Sequence, residues 1–128
     1  MRMSDMEAIF VRVDGRMKRD RLYLDPWVTL SSVARYSGTN RVYVCRAVKT
    51  RFPGFRDYVN GMRLEHLLKD IRSGRCGSLK GLDADDFARS YGFKSKKGMD
   101  RQLVRVTGSD YRHLTCRHSV KPKRTASG

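Results

Sequence analysis

Two segments of this chain carry basic, amide and hydroxyl side chains at a spacing that suits contact with a nucleic acid. The candidate binding residues are Asn40, Arg41, Tyr43, Arg46, Lys49 and Thr50 in the first segment and Ser95, Lys96, Lys97, Arg101 and Arg105 in the second. An arginine guanidinium forms bidentate hydrogen bonds with guanine, whereas lysine and threonine more often secure phosphate or make mixed contacts. We therefore expect Arg46 to discriminate between bases and Lys96 and Lys97 to anchor the phosphate backbone.

A repeat of 54 residues supplies the helices that would position these side chains. Residues 29–38 and 83–92 each have the pattern of an N-cap, a short helix with one apolar edge and a glycine stop. The apolar edges consist of Leu30, Val33 and Ala34 in the first copy and Ala84, Phe87 and Ala88 in the second. Each copy is followed by a second helical stretch, at about residues 41–51 and 96–106. Helix, glycine turn and helix form the outline of a helix-turn-helix, which is predicted twice.

The second helix of each pair is predicted to have a dry side and a basic side. The dry sides consist of Val44, Ala47 and Val48 in the first pair and of Met99, Leu103 and Val106 in the second. Most of the candidate binding residues lie on the opposite, polar sides. Each second helix is therefore expected to pack on a core while it presents positive charge to a partner.

Residues 55–73 predict one long helix, because they contain no proline and only one glycine, Gly61. Two apolar stripes follow each other along it, the first made of Phe55, Tyr58, Val59 and Met62 and the second of Leu64, Leu67, Leu68 and Ile71. At about 100° per residue, a step of nine residues places the second stripe opposite the first. One helix is therefore expected to serve two small cores.

The predicted fold is all-α, with two helix-turn-helix subdomains joined by a long linker helix and about seven helices in total. Residues 1–54 would form an N-terminal helix and the first helix-turn-helix, residues 55–73 the linker helix, and residues 74–115 the second helix-turn-helix. Residues 116–128 have little apolar content and are expected to form a disordered basic tail. Trp27 follows the break at Asp25-Pro26, and its ring is expected to cover the edge of the first core.

The charge balance points to a polyanionic partner. The chain has 28 Lys and Arg residues against 13 Asp and Glu residues, which gives a net charge of +15. From Phe87 onward the sequence has eleven basic and two acidic residues, so the excess is strongest in the C-terminal third. Such an excess is greater than solubility requires and is typical of proteins that bind nucleic acid.

Other classes of function have little support in the sequence. Cys45, Cys76 and Cys116 show no zinc-type spacing among themselves or with the histidines, so no metal or cofactor is expected. The sequence suggests no base and orienting partner for a nucleophile, and we expect no enzyme activity. The N-terminus mixes apolar and charged residues, unlike a signal peptide or a membrane span. Reduced thiols and a cytoplasmic location are expected.

Several short motifs of the chain resemble the AraC family of bacterial transcription regulators, specifically their tandem helix-turn-helix DNA-binding domain. These motifs are Leu24-Asp25-Pro26, Gly38-Thr39-Asn40-Arg41-x-Tyr43, Phe55-Arg56-x-Tyr58-x-Asn60-x-x-Arg63 and Ala88-x-x-x-Gly92-Phe93. The resemblance covers residues 22–114. It implies seven helices, the third and sixth of which enter successive segments of the major groove on one face of the duplex.

The chain also departs from that family's pattern. Met99 and Leu103 stand where family members usually have a large aromatic side chain, and Phe52 stands where glycine is common. Gly98 lowers the helix propensity of the second recognition helix by about 1 kcal/mol relative to alanine. We therefore expect the first helix-turn-helix to specify sequence and the second mainly to add affinity.

The leading hypothesis is a bacterial, nucleoid-associated regulator that binds double-stranded DNA as a monomer on a bipartite site. One alternative is a nucleoid or RNA-binding structural protein without sequence preference. Another is an interaction module that docks on RNA polymerase. At the residue level, Tyr43 is as easily explained by packing on a neighbouring helix. A solvated helix face is the alternative for Arg46 and Lys49, but their position opposite Val44 and Val48 favours contact with DNA. The roughly 20 residues before the first unit are too few for a separate effector-binding domain, so the expectation is either an isolated domain or a protein controlled by its amount.

Overall fold

The computed structural model describes residues 3–77, 79, 81 and 83–120, and over these residues the fold is all-α. The helices are α1 (Met3–Arg19), α2 (Leu30–Tyr36), α3 (Arg41–Lys49), α4 (Phe55–Arg72), α5 (Ala84–Ser90), α6 (Lys96–Thr107) and α7 (Tyr111–Val120), with a 3₁₀ turn at Leu22–Leu24. The described part of the chain contains no strand. The predicted all-α class with about seven helices is confirmed.

The chain divides into two compact units, and the division falls between Met62 and Arg63, inside α4. The predicted long helix is confirmed, since α4 is continuous from Phe55 to Arg72. Its first half contributes Tyr58, Val59 and Met62 to the core of unit 1. Its second half contributes Leu64, Leu67 and Ile71 to the core of unit 2. The change of apolar stripe in the sequence therefore marks a change of core.

In unit 1, α1, α2, α3 and the first half of α4 share one hydrophobic cluster. The buried residues of the three earlier helices are Phe10, Val13, Met17, Val33, Ala34, Val44, Ala47 and Val48. The ring of Tyr58 packs 5.6 Å from that of Phe10 and 5.0 Å from that of Phe52, measured between centroids. The Tyr58 hydroxyl donates a hydrogen bond to Asp14 at 2.7 Å, which ties α4 to α1.

The first helix-turn-helix consists of α2, a glycine turn and α3. Thr29 and Ser32 form a reciprocal capping box, in which each side chain accepts a hydrogen bond from the other's backbone N–H. Gly38 has a φ of +74°, and the next residue, Thr39, donates its N–H to the Ala34 carbonyl at 2.9 Å. This bond satisfies an orphan carbonyl at the end of α2 and turns the chain toward α3. The predicted helix, glycine stop and second helix are therefore confirmed for the first copy of the repeat.

The second helix-turn-helix, α5 to α6, repeats this local geometry in unit 2. Asp83 caps α5 by accepting hydrogen bonds from the N–H groups of Asp85 and Asp86. Gly92 has a φ of +92°, and Phe93 N–H donates to the Ala88 carbonyl at 3.0 Å. The same capped helix and glycine turn therefore recur in the second copy, as the repeat predicts.

The core of unit 2 is smaller and is supplemented by tyrosine hydroxyls. Apart from α4, its buried members are Ala88, Phe93, Met99, Leu103 and Tyr111. The Tyr91 hydroxyl donates to Asp70 on α4 at 2.6 Å, and the Tyr111 hydroxyl donates to the Gly77 carbonyl at 2.6 Å. Burial, followed by the hydrogen bond to Asp70, raises the pKa of Tyr91, so this hydroxyl stays protonated and keeps donating.

Two expectations about apolar residues are wrong. Trp27 does not cover the first core, since 65% of it is exposed. The backbone N–H of Trp27 donates to the Asp25 carboxylate at 2.9 Å in a tight turn. The later residues Val28 and Leu30 pack on the hydrophobic cluster instead. Val106 is also exposed, although its spacing from Met99 and Leu103 suggests the dry side. Leu103 is the last α6 residue in the cluster, and Val106 lies in the final turn beyond it.

The expectation of a disordered tail from residue 116 is also corrected, because α7 continues to Val120. The physical reason is local. Asp110 accepts the His113 N–H at 2.9 Å and so caps the start of the helix, while Tyr111 and Thr115 are buried and hold its first turns in place. Once a helix is nucleated, each further residue adds a backbone hydrogen bond without needing apolar content. Residues 121–128 of the predicted tail lie outside the described residues.

Candidate nucleic-acid interface

The side of α3 that points away from the core consists of Val42, Arg46 and Lys49, which we call the α3 outer face. At about 100° per residue these three positions lie within about 60° of one another, opposite the buried Val44, Ala47 and Val48. All three outer residues are exposed, and Val42 is 52% exposed. The predicted pair Arg46 and Lys49 thus shares its face with a valine that sequence reasoning missed. The spacing of residues 42, 46 and 49 was the signal that could have found it.

The other candidate residues of the first segment flank this face. Arg41 is exposed at the first turn of α3, and Tyr43 is 40% exposed. Asn40 caps α3, since its side-chain oxygen accepts the Tyr43 N–H at 3.0 Å. Thr50 lies at the other end of the helix, where its hydroxyl donates to the Ala47 carbonyl at 2.7 Å. Asn40 and Thr50 therefore stabilise the two ends of α3.

The corresponding side of α6 consists of Lys97, Arg101 and Val104, which we call the α6 outer face. It lies opposite the buried Met99 and Leu103, and its Val104 is 48% exposed. Arg105 is exposed beside it. Ser95 caps the helix by accepting the Gly98 N–H at 3.1 Å. Val104, like Val42, is absent from the predicted set, because an outward valine gives no charge signal.

Lys96 has a different setting from its neighbour Lys97. Its ammonium group forms an ion pair with Asp100, one turn along α6. The second oxygen of Asp100 accepts the Tyr111 N–H at 2.9 Å, which links α6 to the start of α7. Lys96 therefore neutralises a carboxylate that has a structural role, whereas Lys97 is exposed.

The two outer faces match when the helices are aligned on their N-caps, Asn40 and Ser95. In α3, the residues 2, 6 and 9 positions after the cap are Val42, Arg46 and Lys49. In α6, they are Lys97, Arg101 and Val104. Each face therefore has an arginine at its centre, while the valine and the lysine exchange ends.

The basic side chains of the two outer faces are not paired with carboxylates among the described residues. Among the described residues, no ion pair involves Arg46, Lys49, Lys97 or Arg101. Helix α3 contains no acidic residue. Some basic residues elsewhere are paired, as with Arg51 and Glu7 at 3.8 Å and Arg89 and Asp86 at 2.6 Å. The outer faces thus combine positive charge with N–H groups that can donate hydrogen bonds to a phosphate or to a base edge.

The first helices of the two motifs differ in charge. In α2 the first turn and its cap carry hydroxyls from Thr29, Ser31 and Ser32. The equivalent positions of α5 are occupied by Asp83, Asp85 and Asp86. The Asp85 carboxylate accepts the Lys96 N–H at 2.8 Å, at the start of α6. Acidic groups therefore surround the beginning of the second motif, where the first is neutral.

Neither a metal centre nor a membrane span is found within the described ranges. No three His, Cys, Asp or Glu side chains there are grouped so that they could hold a metal ion. None of the helices in this part of the chain is both long enough and apolar enough to cross a bilayer. No protein-family model, no curated protein and no solved structure matches the chain.

Proposed function

We propose that this chain is a sequence-specific double-stranded DNA-binding protein that regulates transcription, with α3 and α6 as its recognition helices in consecutive major grooves. One observation carries the proposal. Each unit contains a capped helix, a glycine turn and a second capped helix whose exposed face is centred on an arginine, Arg46 or Arg101. A B-form major groove admits an α-helix, and arginine at its floor pairs with guanine.

The resemblance to the AraC family supports the same proposal, and we propose kinship with that family's DNA-binding domain. The motif glycines Gly38 and Gly92 have positive φ and make the turns between paired helices. The motif residues Tyr58 and Arg63 are buried on α4. These four motif residues therefore stabilise the fold. The residues proposed to contact DNA lie on the exposed surface instead.

The proposed partner is a single duplex with two half-elements about 34 Å apart, bound by one copy of the chain in the bacterial cytoplasm. We propose a division of labour in which the first motif supplies most of the sequence preference. The neutral first turn of α2 supports this, because the three carboxylates around the start of α5 repel phosphates. RNA polymerase is proposed as a further partner of the DNA-bound protein.

The test is selection of bound duplexes from a random library, followed by affinity measurements on the selected and on a scrambled site. We expect Arg46→Ala to cost about 1–3 kcal/mol on the selected site and much less on the scrambled one. Arg72→Ala is the matched control, because Arg72 is exposed in the last turn of α4 and lies outside both recognition helices. Equal losses on both duplexes for Arg46→Ala would contradict the role assigned to that residue.

A second candidate function is non-specific binding of DNA or RNA by a nucleoid structural protein. The net charge of +15 and the basic residues Lys94 and Lys97 near the start of α6 favour it. Competition between the selected duplex, random duplex and RNA separates the two functions, since only a specific binder prefers the selected duplex. Failure to bind any duplex at low salt would instead favour a module that docks on RNA polymerase.

A further inference from the structure

Val42 occupies a position on the α3 outer face where a DNA-reading helix contacts bases. It lies in the first turn of α3, and the N-terminal residues of a recognition helix are those that approach base edges. Its side chain is 52% exposed, while Val44 and Val48 of the same helix are fully buried. Val42 therefore contributes little to the core and is available to a partner.

The surroundings of Val42 restrict what it could recognise. Arg46 and Lys49 are its neighbours on the same face, and both are exposed hydrogen-bond donors. Valine forms no hydrogen bonds, and the apolar group that the major groove presents is the C5-methyl of thymine. Val42 and Arg46 are four residues apart, which is about 6 Å along the helix or about two base steps.

We propose that Val42 contacts the C5-methyl group of a thymine that lies within about two base pairs of a guanine bound by Arg46. This inference rests on the proposed function and assigns the base class read by the first turn of α3. Helix α6 has Lys97 at the equivalent position, and its outward valine, Val104, lies two turns farther from the N-terminus. In the half-element read by α6, we therefore expect no loss of affinity when a thymine methyl group near the start of the helix is removed.

The experiment replaces each thymine of the selected duplex, one at a time, by deoxyuridine, which removes only the methyl group. We expect one position in the half-element of α3 to lose affinity about fourfold, the effect of exposing one buried methyl. Val42→Ala should lower the affinity for the thymine duplex by a similar factor. Combined with deoxyuridine at that position, it should cause no further loss, because both changes remove the same contact.

Val11→Ala is the matched control, since Val11 is an exposed valine on α1 outside both outer faces. It should leave the affinity and the deoxyuridine effect unchanged. Specific binding that no deoxyuridine weakens, or a weakening that persists undiminished in Val42→Ala, would overturn this inference alone. Absence of any preferred duplex would overturn the proposed function as well.

Discussion

Lys96 and Lys97 are adjacent in sequence, yet their surroundings assign them different tasks. Lys96 neutralises Asp100, whose other oxygen holds the start of α7 through the Tyr111 N–H. Lys97 is exposed on the α6 outer face, and the described residues include no carboxylate paired with it. A charge already satisfied inside the protein is less available to a phosphate than one that faces solvent.

We predict that Lys97→Ala weakens binding to all duplexes by a similar factor and lowers the slope of log affinity against log salt by about 1. Lys96→Ala should have a smaller effect on the slope and a larger one on thermal stability, because it leaves Asp100 without its counter-charge. Salt titrations of both variants, together with their melting temperatures, check the prediction. The opposite assignment of effects would contradict it.

The Tyr58 hydroxyl provides a test of stability that does not depend on function. Tyr58→Phe removes its hydrogen bond to Asp14 and should lower the free energy of unfolding by about 1 kcal/mol in urea titrations at neutral pH. Tyr43→Phe is the matched control on an exposed tyrosine and should change stability by less than about 0.5 kcal/mol. Equal effects of the two substitutions would argue against the buried bond.

The same tyrosine predicts a dependence of stability on alkaline pH. Burial, followed by the hydrogen bond to Asp14, raises the pKa of Tyr58 above its unfolded value. A raised pKa in the folded state stabilises the protein fully below the unfolded pKa of about 10, and this stabilisation is lost as the pH rises through the folded pKa. Stability should therefore fall above pH about 10, and less steeply in Tyr58→Phe. Urea titrations over this pH range measure both slopes.

At the scale of elements, the N-caps fix where α3 and α6 begin and therefore which of their side chains face outward. Asn40 and Ser95 each accept the N–H three residues ahead, and the outer faces follow at fixed distances from these caps. Aspartate is as good a cap as asparagine, but it adds a negative charge. Substitutions at the cap positions can therefore separate the stability of a helix from the DNA affinity proposed for it.

We predict that Asn40→Asp preserves the melting temperature and reduces the affinity for duplex DNA, because it would place a carboxylate beside the phosphates of the proposed complex. Asn40→Ala should lower stability by about 1 kcal/mol through loss of the cap. Circular dichroism melts and gel-shift titrations of both variants make the comparison. Unchanged DNA affinity in a stable Asn40→Asp variant would place the start of α3 away from the duplex.

The elements were predictable because their signals are local. Thr29, Asn40 and Asp83 are caps in the sequence and in the structure, and the glycines that follow α2 and α5 have the positive φ that favours this residue. Trp27 is exposed because Asp25 closes a turn before it. Val106 is exposed because it lies beyond the end of the core of unit 2. Such outcomes are set by tertiary packing, which periodicity does not encode. The outward Val42 and Val104 carry no charge, so the basic pattern that marks their neighbours does not include them.

At the scale of the whole molecule, the net charge of +15 predicts that binding to a polyanion weakens as salt is added. If the proposed function holds, neutralisation of about six phosphates should give a slope of log affinity against log salt near −5. Affinity should then fall about a thousandfold between about 50 and 200 mM salt. Titrations at four or more salt concentrations measure the slope, and a slope near zero would be incompatible with a phosphate-anchored complex.

The two glycine turns differ in length by one residue, and this difference governs how parts could be exchanged between the motifs. Helix α3 starts three residues after Gly38, whereas α6 starts four residues after Gly92. A graft that superimposes the glycines would be out of phase by one residue, or about 100° of rotation. It would place the inward Ala47 at the position of Arg101, which is exposed. A chimera joined at the caps keeps every side chain on its own side, so the loop, rather than the helix it precedes, decides the orientation of the transplanted surface.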